Sequence, residues 1–353
     1  MGVRCRLPLS LRSAALVAAT VAALAPNAAR ADEGGVSLWL PGTFGSLAAV
    51  PQAAPGWAFA TIFYQTTVHA DGNVAAARQA TIGRFNPTVN VNLNADLHAR
   101  SDIQFGSLSY AFATPVLGGQ LAVSMLGAFG QTDASIAGTL TATLGPFTVT
   151  RNGLIDDGRW GLSDLYPMAT LKWNAGVHNY MIYGFGDIPI GTYDPSRLVN
   201  FGIGHGGFDG GAGYTYFNPQ TGWEYSVVAG LSYNLKNTQT DYQNGIDSHV
   251  DFAASKFLSK ELFVGLVGYF YQQLTPDRGQ PQVLGDFKSR VAGLGPQIGY
   301  LFPVGDLQGY LNLKGYGEFE AENRAHGWNL WLTFSISPKA PERAVPRSAM
   351  VTK

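Results

Sequence analysis

Strict alternation over long stretches constrains this chain more than any other feature. From Val89 to Arg100, the residues Val89, Val91, Leu93, Ala95, Leu97 and Ala99 fall on one side of a two-residue period; Asn90, Asn92, Asn94, Asp96, His98 and Arg100 fall on the other. Successive side chains of a strand point to opposite faces, so this stretch reads as a strand with one oily and one wet face. Asn is a poor strand former, so something other than propensity selects it. In "WEYSVVAGLSYNLK" the same rule sets Trp223, Tyr225, Val227, Ala229, Leu231, Tyr233 and Leu235 against Glu224, Ser226, Val228, Gly230, Ser232, Asn234 and Lys236. At about 3.3 Å per residue and a tilt of about 40°, Trp223 and Tyr233 stand roughly 25 Å apart along a membrane normal. That is the height of the apolar band on an outer-membrane barrel, with an aromatic ring at each interface. The strands of a soluble sandwich run about 5 or 6 residues, shorter than the runs found here.

Such segments recur between clusters of Gly, Pro, Asn and Asp. Candidate strands fall at 57–67, 89–100, 103–113, 120–130, 139–150, 165–173, 177–185, 208–217, 223–236, 249–257, 262–274, 288–302, 308–320 and 328–337. The pattern predicts an all-β fold, an antiparallel transmembrane barrel of about 12–14 strands. In the last strand Trp328, Leu330, Leu332, Phe334 and Ile336 oppose Asn329, Trp331, Thr333, Ser335 and Ser337. Its neighbour sets Leu311, Leu313 and Phe319 against Asn312, Lys314, Tyr316, Glu318 and Glu320. Charges of both signs on one face suit a wet interior, because a Lys on the lipid face costs about 2–4 kcal/mol at the midplane. By the same logic the apolar row of 89–100 is expected to meet lipid and its Asn row the interior. The stretch "ELFVGLVGYFYQQL" is apolar on both faces; Phe263, Val267, Tyr269 and Tyr271 on its inner face would line the bore or pack against a plug.

Composition agrees. Only 13% of the 353 residues are charged, against about 25% in an average chain, and 44 Gly with 12% aromatics fit bent strands and tight turns. A net charge of −1 gives no reason to expect nucleic acid as a partner. Residues 1–31 read as an export signal: Arg4, Arg6 and Arg12 precede an apolar stretch from Ala14 to Ala25, and Ala29-Arg30-Ala31 is a small-x-small cleavage site. The apolar stretch is shorter than the roughly 20 residues a spanning helix needs. The one cysteine, Cys5, lies in that signal, so a thiolate nucleophile or Cys-based metal site is not expected in the mature chain.

Chemical motifs are scarce. "GIGHGG", Gly202 to Gly207, contains G-x-G-x-x-G, but "FDGGAGYTYF" after it is strand-like, where a dinucleotide site needs a helix. His249 and Asp251 share a strand face, yet two ligands without a third make weak evidence for a metal. No G-x-S-x-G elbow is present. The expectation is a non-enzyme without catalytic residues, cofactor or metal.

The segments "GTYDPSRLVNFG", "PQTGWEYSVVAGLSYNLKNTQTDYQNG" and "LVGYFYQQLTPDRG...LGDFKSRVAGLGPQIGY", with "EGGVSLWLPGTFGSL" near the start and "ENRAHGWNLWLTFSIS" near the end, carry a resemblance. They resemble the meta-pathway phenol-degradation family of outer-membrane transporter-like proteins of Gram-negative bacteria. The match covers most of Gly34 to Ser337 and is strongest from Gly191 to Tyr300. It implies a barrel akin to the fatty-acid and hydrocarbon uptake channels, with residues 32–56 folded inside as a hatch, 57–337 forming the barrel and 338–353 a flexible tail. It implies passage of aromatic compounds rather than ring chemistry. Two departures stand out: the tail beyond the final strand, and Leu140 to Trp160, which reads as a divergent loop.

Three polar clusters recur in the matched blocks: Tyr193, Asp194, Arg197 and Asn200 in a Pro-containing turn; Asp241 and Tyr242; and Asp286, Lys288 and Arg290. They are read as staples of loops to the rim, with Arg197 the alternative contact for a phenolate or carboxylate. The lumen or rim candidates for solute contact are Tyr193, Asp194, Arg197, Asn200, Glu224, His249, Asp251, Tyr269, Tyr271, Lys314 and Glu318. The expected partners are the outer-membrane bilayer, a small hydrophobic or aromatic solute and the outer-membrane assembly machinery. Two other functions compete: a barrel enzyme acting on lipids, and a secreted β-sandwich that binds carbohydrate.

Overall fold

The computed structural model describes residues 38–71, 90–144, 147–279 and 288–339. The expected export signal, residues 32–37, Asp286 and the tail beyond 339 lie outside them. The strands, in chain order, are β1 Gly56–Asp71, β2 Asn90–Ala111, β3 Gln120–Leu144, β4 Phe147–Leu162, β5 Tyr166–Ala175, β6 His178–Asp187, β7 Gly207–Asn218, β8 Trp223–Asn234, β9 Tyr242–Gln243, β10 Asp247–Phe257, β11 Leu262–Gln273, β12 Arg278–Gly279, β13 Arg290–Val304, β14 Leu307–Glu322 and β15 His326–Pro338. No helix among the described residues is long and apolar enough to cross a membrane.

The sheet closes into a barrel of 12 antiparallel strands with one extra strand, β4. Closure runs through β1, which pairs with β15 on one side and β2 on the other. The pair β9 and β12 forms a separate two-stranded sheet. Within those 12 strands closure leaves no edge, which is what lets β-structure cross hydrocarbon with its backbone groups paired. Short turns follow Ala175, Asn218, Phe257 and Val304, at the end that also holds Gly56 and Pro338; long connections, 188–206 among them, sit at the other. By the usual arrangement the first end is periplasmic and the second extracellular.

Strand β3 is shared. Its lower part, Gln120 to Leu126, pairs with β5; its upper part, Phe129 to Leu144, pairs with β4. Thus β4 and β5 are two stretches of one descending path, interrupted at Ser163, Asp164 and Leu165. The loop 188–206 crosses the free edge of β4: Leu165 and Ile188 exchange backbone hydrogen bonds, and Thr192 bonds to Leu162 through both its N–H and its hydroxyl.

Alternation becomes burial as expected over most of the wall. In β8, Trp223, Tyr225, Val227, Leu231 and Tyr233 are exposed on the outside, while Glu224, Ser226, Val228, Ser232 and Asn234 are buried inside. In β11 the exposed row is Val264, Leu266 and Phe270, and Phe263, Val267, Tyr269 and Tyr271 face inward.

Four expectations need correction. The runs 89–100 and 103–113 form one strand, β2, because its partner β3 continues past both. The stretch from Leu140 to Trp160 is, over its described residues, no loop but the paired top of β3 and β4, so the strand expected at 139–150 is divided between the two. Glu320 is exposed with φ 52°, and Phe319 beside it stays on the outside, so the alternation breaks there.

The fourth correction concerns facing. In β2 Leu97 is 6% exposed and packs with Ala70 and Ile136, while Asp96, His98 and Arg100 are exposed outside. The apolar row points inward there, the reverse of the expectation. The reason is height. Neighbouring outward residues change on adjacent rungs, from Phe63, Gln104 and Phe129 to Gln65, Asp102 and Gln131. Above that level the outside is water, so the oily row turns in. Gln65 donates to Asp102 at 2.8 Å, and Arg100 pairs with Asp102 at 3.0 Å, on this wet exterior.

Candidate functional site: a filled lumen

The bore is occupied by the chain's own segment from Leu38 to Pro55, which descends from the extracellular half to the start of β1. Trp39 is 2% exposed and stacks on His249, with ring centroids 3.9 Å apart and planes at 9°. Below it, Asp251 accepts hydrogen bonds from the N–H groups of Gly42 (2.8 Å) and Phe44 (3.4 Å). Lys314 donates to the carbonyls of Gly42 and Phe44. Glu224 accepts from the Ser46 hydroxyl at 2.7 Å and the Leu47 N–H at 2.9 Å. Ala49 N–H donates to Thr215, and Lys172 to the Ala48 carbonyl at 2.7 Å. At the periplasmic end Gln52 and Gln120 exchange backbone-to-side-chain bonds.

Local chemistry explains this course. Gly42, at φ +89°, bends the segment where a Cβ would come within 3.1 Å of the Tyr316 ring. The irregular backbone cannot pair with the sheet, so its N–H and C=O groups need side-chain partners. Charged groups on the inner faces of β8, β10 and β14 supply them, and the segment satisfies those buried charges in return. An aromatic cluster of Tyr64, Tyr269, Tyr271, Tyr316 and Trp331 walls the other side, with Lys314 5.0 Å from the Trp331 ring.

The candidate residues divide into two places. Glu224, His249, Asp251 and Lys314 meet the segment. Tyr269 donates to Glu318 at 2.7 Å and accepts from Asn329 at 3.0 Å; Glu318 also accepts from the Gly327 N–H. Tyr271 lies under the Arg324 guanidinium at 4.7 Å. The rim group is separate. Arg197 forms an ion pair with Asp157, whose other oxygen accepts from the Val199 N–H at 3.0 Å. Asn200 accepts from the Asp194 N–H at 2.8 Å and from Arg159 at 3.3 Å. The Tyr193 hydroxyl accepts from Asn237 at 2.9 Å. The hydroxyl and N–H of Ser196 hold the Asp194 carboxyl below the usual carboxylate range. The contacts of Arg197, Val199 and Asn200 fasten 188–206 to β4, and that of Tyr193 ties it to the connection after β8.

Other functional-looking residues escaped the sequence reading. Asp209 accepts from Ser232 at 2.6 Å and lies 3.0 Å from His249 Nε2. Serine, aspartate and histidine are adjacent, but the hydroxyl donates to the carboxylate and not to the imidazole, so no serine–imidazole relay exists as arranged. At the break in the wall, Asp164 accepts from the N–H groups of Gly191 (2.6 Å) and Ile203 (2.8 Å). Asp187 and His205 are buried beside it. Among the described residues, no group of three or more His, Cys, Asp or Glu could hold a metal.

A closed antiparallel barrel with a lipid-compatible girdle and a filled bore defines a transmembrane β-barrel of the outer-membrane type. Residues 55–334 match the family described as "Putative MetA-pathway of phenol degradation", and the chain belongs to it. The fold resembles the crystal structure of an outer-membrane channel from Pseudomonas putida F1, with a TM-score of 0.58 at 12% identity, covering 85% of this chain and 100% of that one. A FadL homologue from Pseudomonas aeruginosa overlays at a TM-score of 0.40 and 9% identity, covering 90% and 99%. No curated protein matches the chain.

Proposed function

We propose that the protein is an outer-membrane channel for passive passage of small hydrophobic or aromatic compounds, in Gram-negative cells that degrade phenols by the meta pathway. An export signal would deliver it, and the outer-membrane assembly machinery would insert it. The observation that carries the reading is the lumen: a wall rich in Tyr and Trp, filled by one strand-free segment held through a few charged anchors. A segment so held is a hatch, since loss of its anchors leaves a bore lined by rings and hydroxyls. Rings accept apolar solutes by area and orient them through hydroxyls. The family's link to phenol degradation supports the choice of solute.

Uptake of labelled aromatic compounds by whole cells with and without the protein tests this. Faster uptake with the protein is expected, and equal rates would remove transport.

A further inference from the structure

At the extracellular end of β6, Asp187 sits on the inner face, opposite Gly207 of β7. It is 9% exposed; both carboxylate oxygens are buried, and neither has a hydrogen-bond partner among the described residues. The acidic side chains that meet the segment in the bore are bonded: Glu224 and Asp251 each accept from its backbone. A buried acceptor without a donor is unfavourable, and native chains keep few.

The surroundings are aromatic and apolar. Phe185, two residues earlier on the same face, stacks with Tyr166 at 5.4 Å and 15° and meets Trp39 edge-on at 6.3 Å. Leu38 covers the neighbouring rung: a Cβ on Gly207 would fall 2.7 Å from its Cδ2, so a side chain there would push Leu38 aside. Asp164 and His205 act electrostatically on Asp187, and Asp187 and Asp164 on Tyr166. The place adjoins the interruption between β4 and β5.

We propose that Asp187, walled by Phe185, Tyr166 and His205, is a subsite that reads the hydroxyl of a neutral aromatic alcohol, which enters as Leu38 yields its position. This rests on the channel reading above. The ring lies against Phe185 and Tyr166, and the hydroxyl donates to the carboxyl oxygen that has no donor. Burial among apolar and aromatic groups disfavours an aromatic anion there. An aromatic hydrocarbon fits the walls and leaves the acceptor unmet.

The test uses the full mature protein, folded in detergent, with phenol, toluene, benzoate and benzylammonium as probes in equilibrium dialysis. Comparing wild type and variant for each probe cancels partition into micelles. In Asp187→Leu, which replaces an unpaired buried carboxylate with an apolar group and so retains the fold, phenol binding should fall about tenfold, near 1.4 kcal/mol, with toluene unchanged. Leu38→Ala should strengthen phenol binding, and the shift in gel mobility on boiling verifies folding in both variants. Equal effects on phenol and toluene, or none on either, would overturn the subsite. So would tighter binding of benzoate or benzylammonium than of phenol by the wild type. Toluene uptake by cells carrying Asp187→Leu separates the two proposals: if it persists while phenol binding is indifferent to Asp187, only the subsite fails, and if wild-type cells take up neither solute faster, the channel fails.

Discussion

Asp251 shows how much one side chain does inside this bore. It accepts from two backbone N–H groups of the segment in the bore and interacts electrostatically with Lys314, which grips the same turn. Removing one partner of a buried charge pair costs about 3–5 kcal/mol, mostly because the other charge is left unpaired. Asp251→Ala is therefore expected to loosen the segment; planar-bilayer recordings should show openings absent from the wild type, and an unchanged silent trace would count against the anchor. The facing of Asp251, Lys314 and Glu224 was legible, because each lies in the polar row of an alternating strand. What each one touches was not, since their partners are main-chain atoms of residues 42–48, which no side-chain pattern advertises. Asp187 was invisible for a related reason: Gly207, Asp164 and His205 reach it from three other segments of the chain.

At the level of the strand, the wall obeys its surroundings rather than a fixed code. Val227 on β8 is 41% exposed in the lipid-facing row between Trp223 and Tyr233. Val227→Arg should destabilise by about 2–4 kcal/mol, measured as a lower urea midpoint in lipid vesicles. On β2 the rule inverts above the bilayer. Single cysteines at His98 and at Leu97 should differ in intact cells: a membrane-impermeant maleimide labels the first and spares the second, and the opposite outcome would restore the lipid-facing assignment of Leu97. Alternation revealed β2 as a strand but gave no height, so the face that meets lipid could not be assigned from that segment alone. The continuity of β3 and β4 was hidden likewise, because polar residues on a strand that stands in water resemble those of a loop.

For the molecule as a whole, closure and filling are separable. The ladder from β1 through β15 is complete without residues 38–55, so deleting 38–52 should leave a barrel that still shifts on boiling. The same variant should conduct steadily where the wild type does not. A deleted form that fails to show the boiling shift would mean that the segment is needed to build the wall. Overall architecture was the most legible property, since only a closed barrel reconciles long half-oily strands with an aromatic girdle.

The rung at which Phe63 and Phe129 give way to Gln65, Asp102 and Gln131 across β1, β2 and β3 acts as a draught mark on a hull. It sets how deep the molecule floats, and it leaves the tops of β2, β3 and β4 standing clear as a ridge. Those strand tops are then within reach of an antibody or a phage approaching the cell, and their sequence is tied down where Asp157 and Arg159 of β4 hold Arg197 and Asn200.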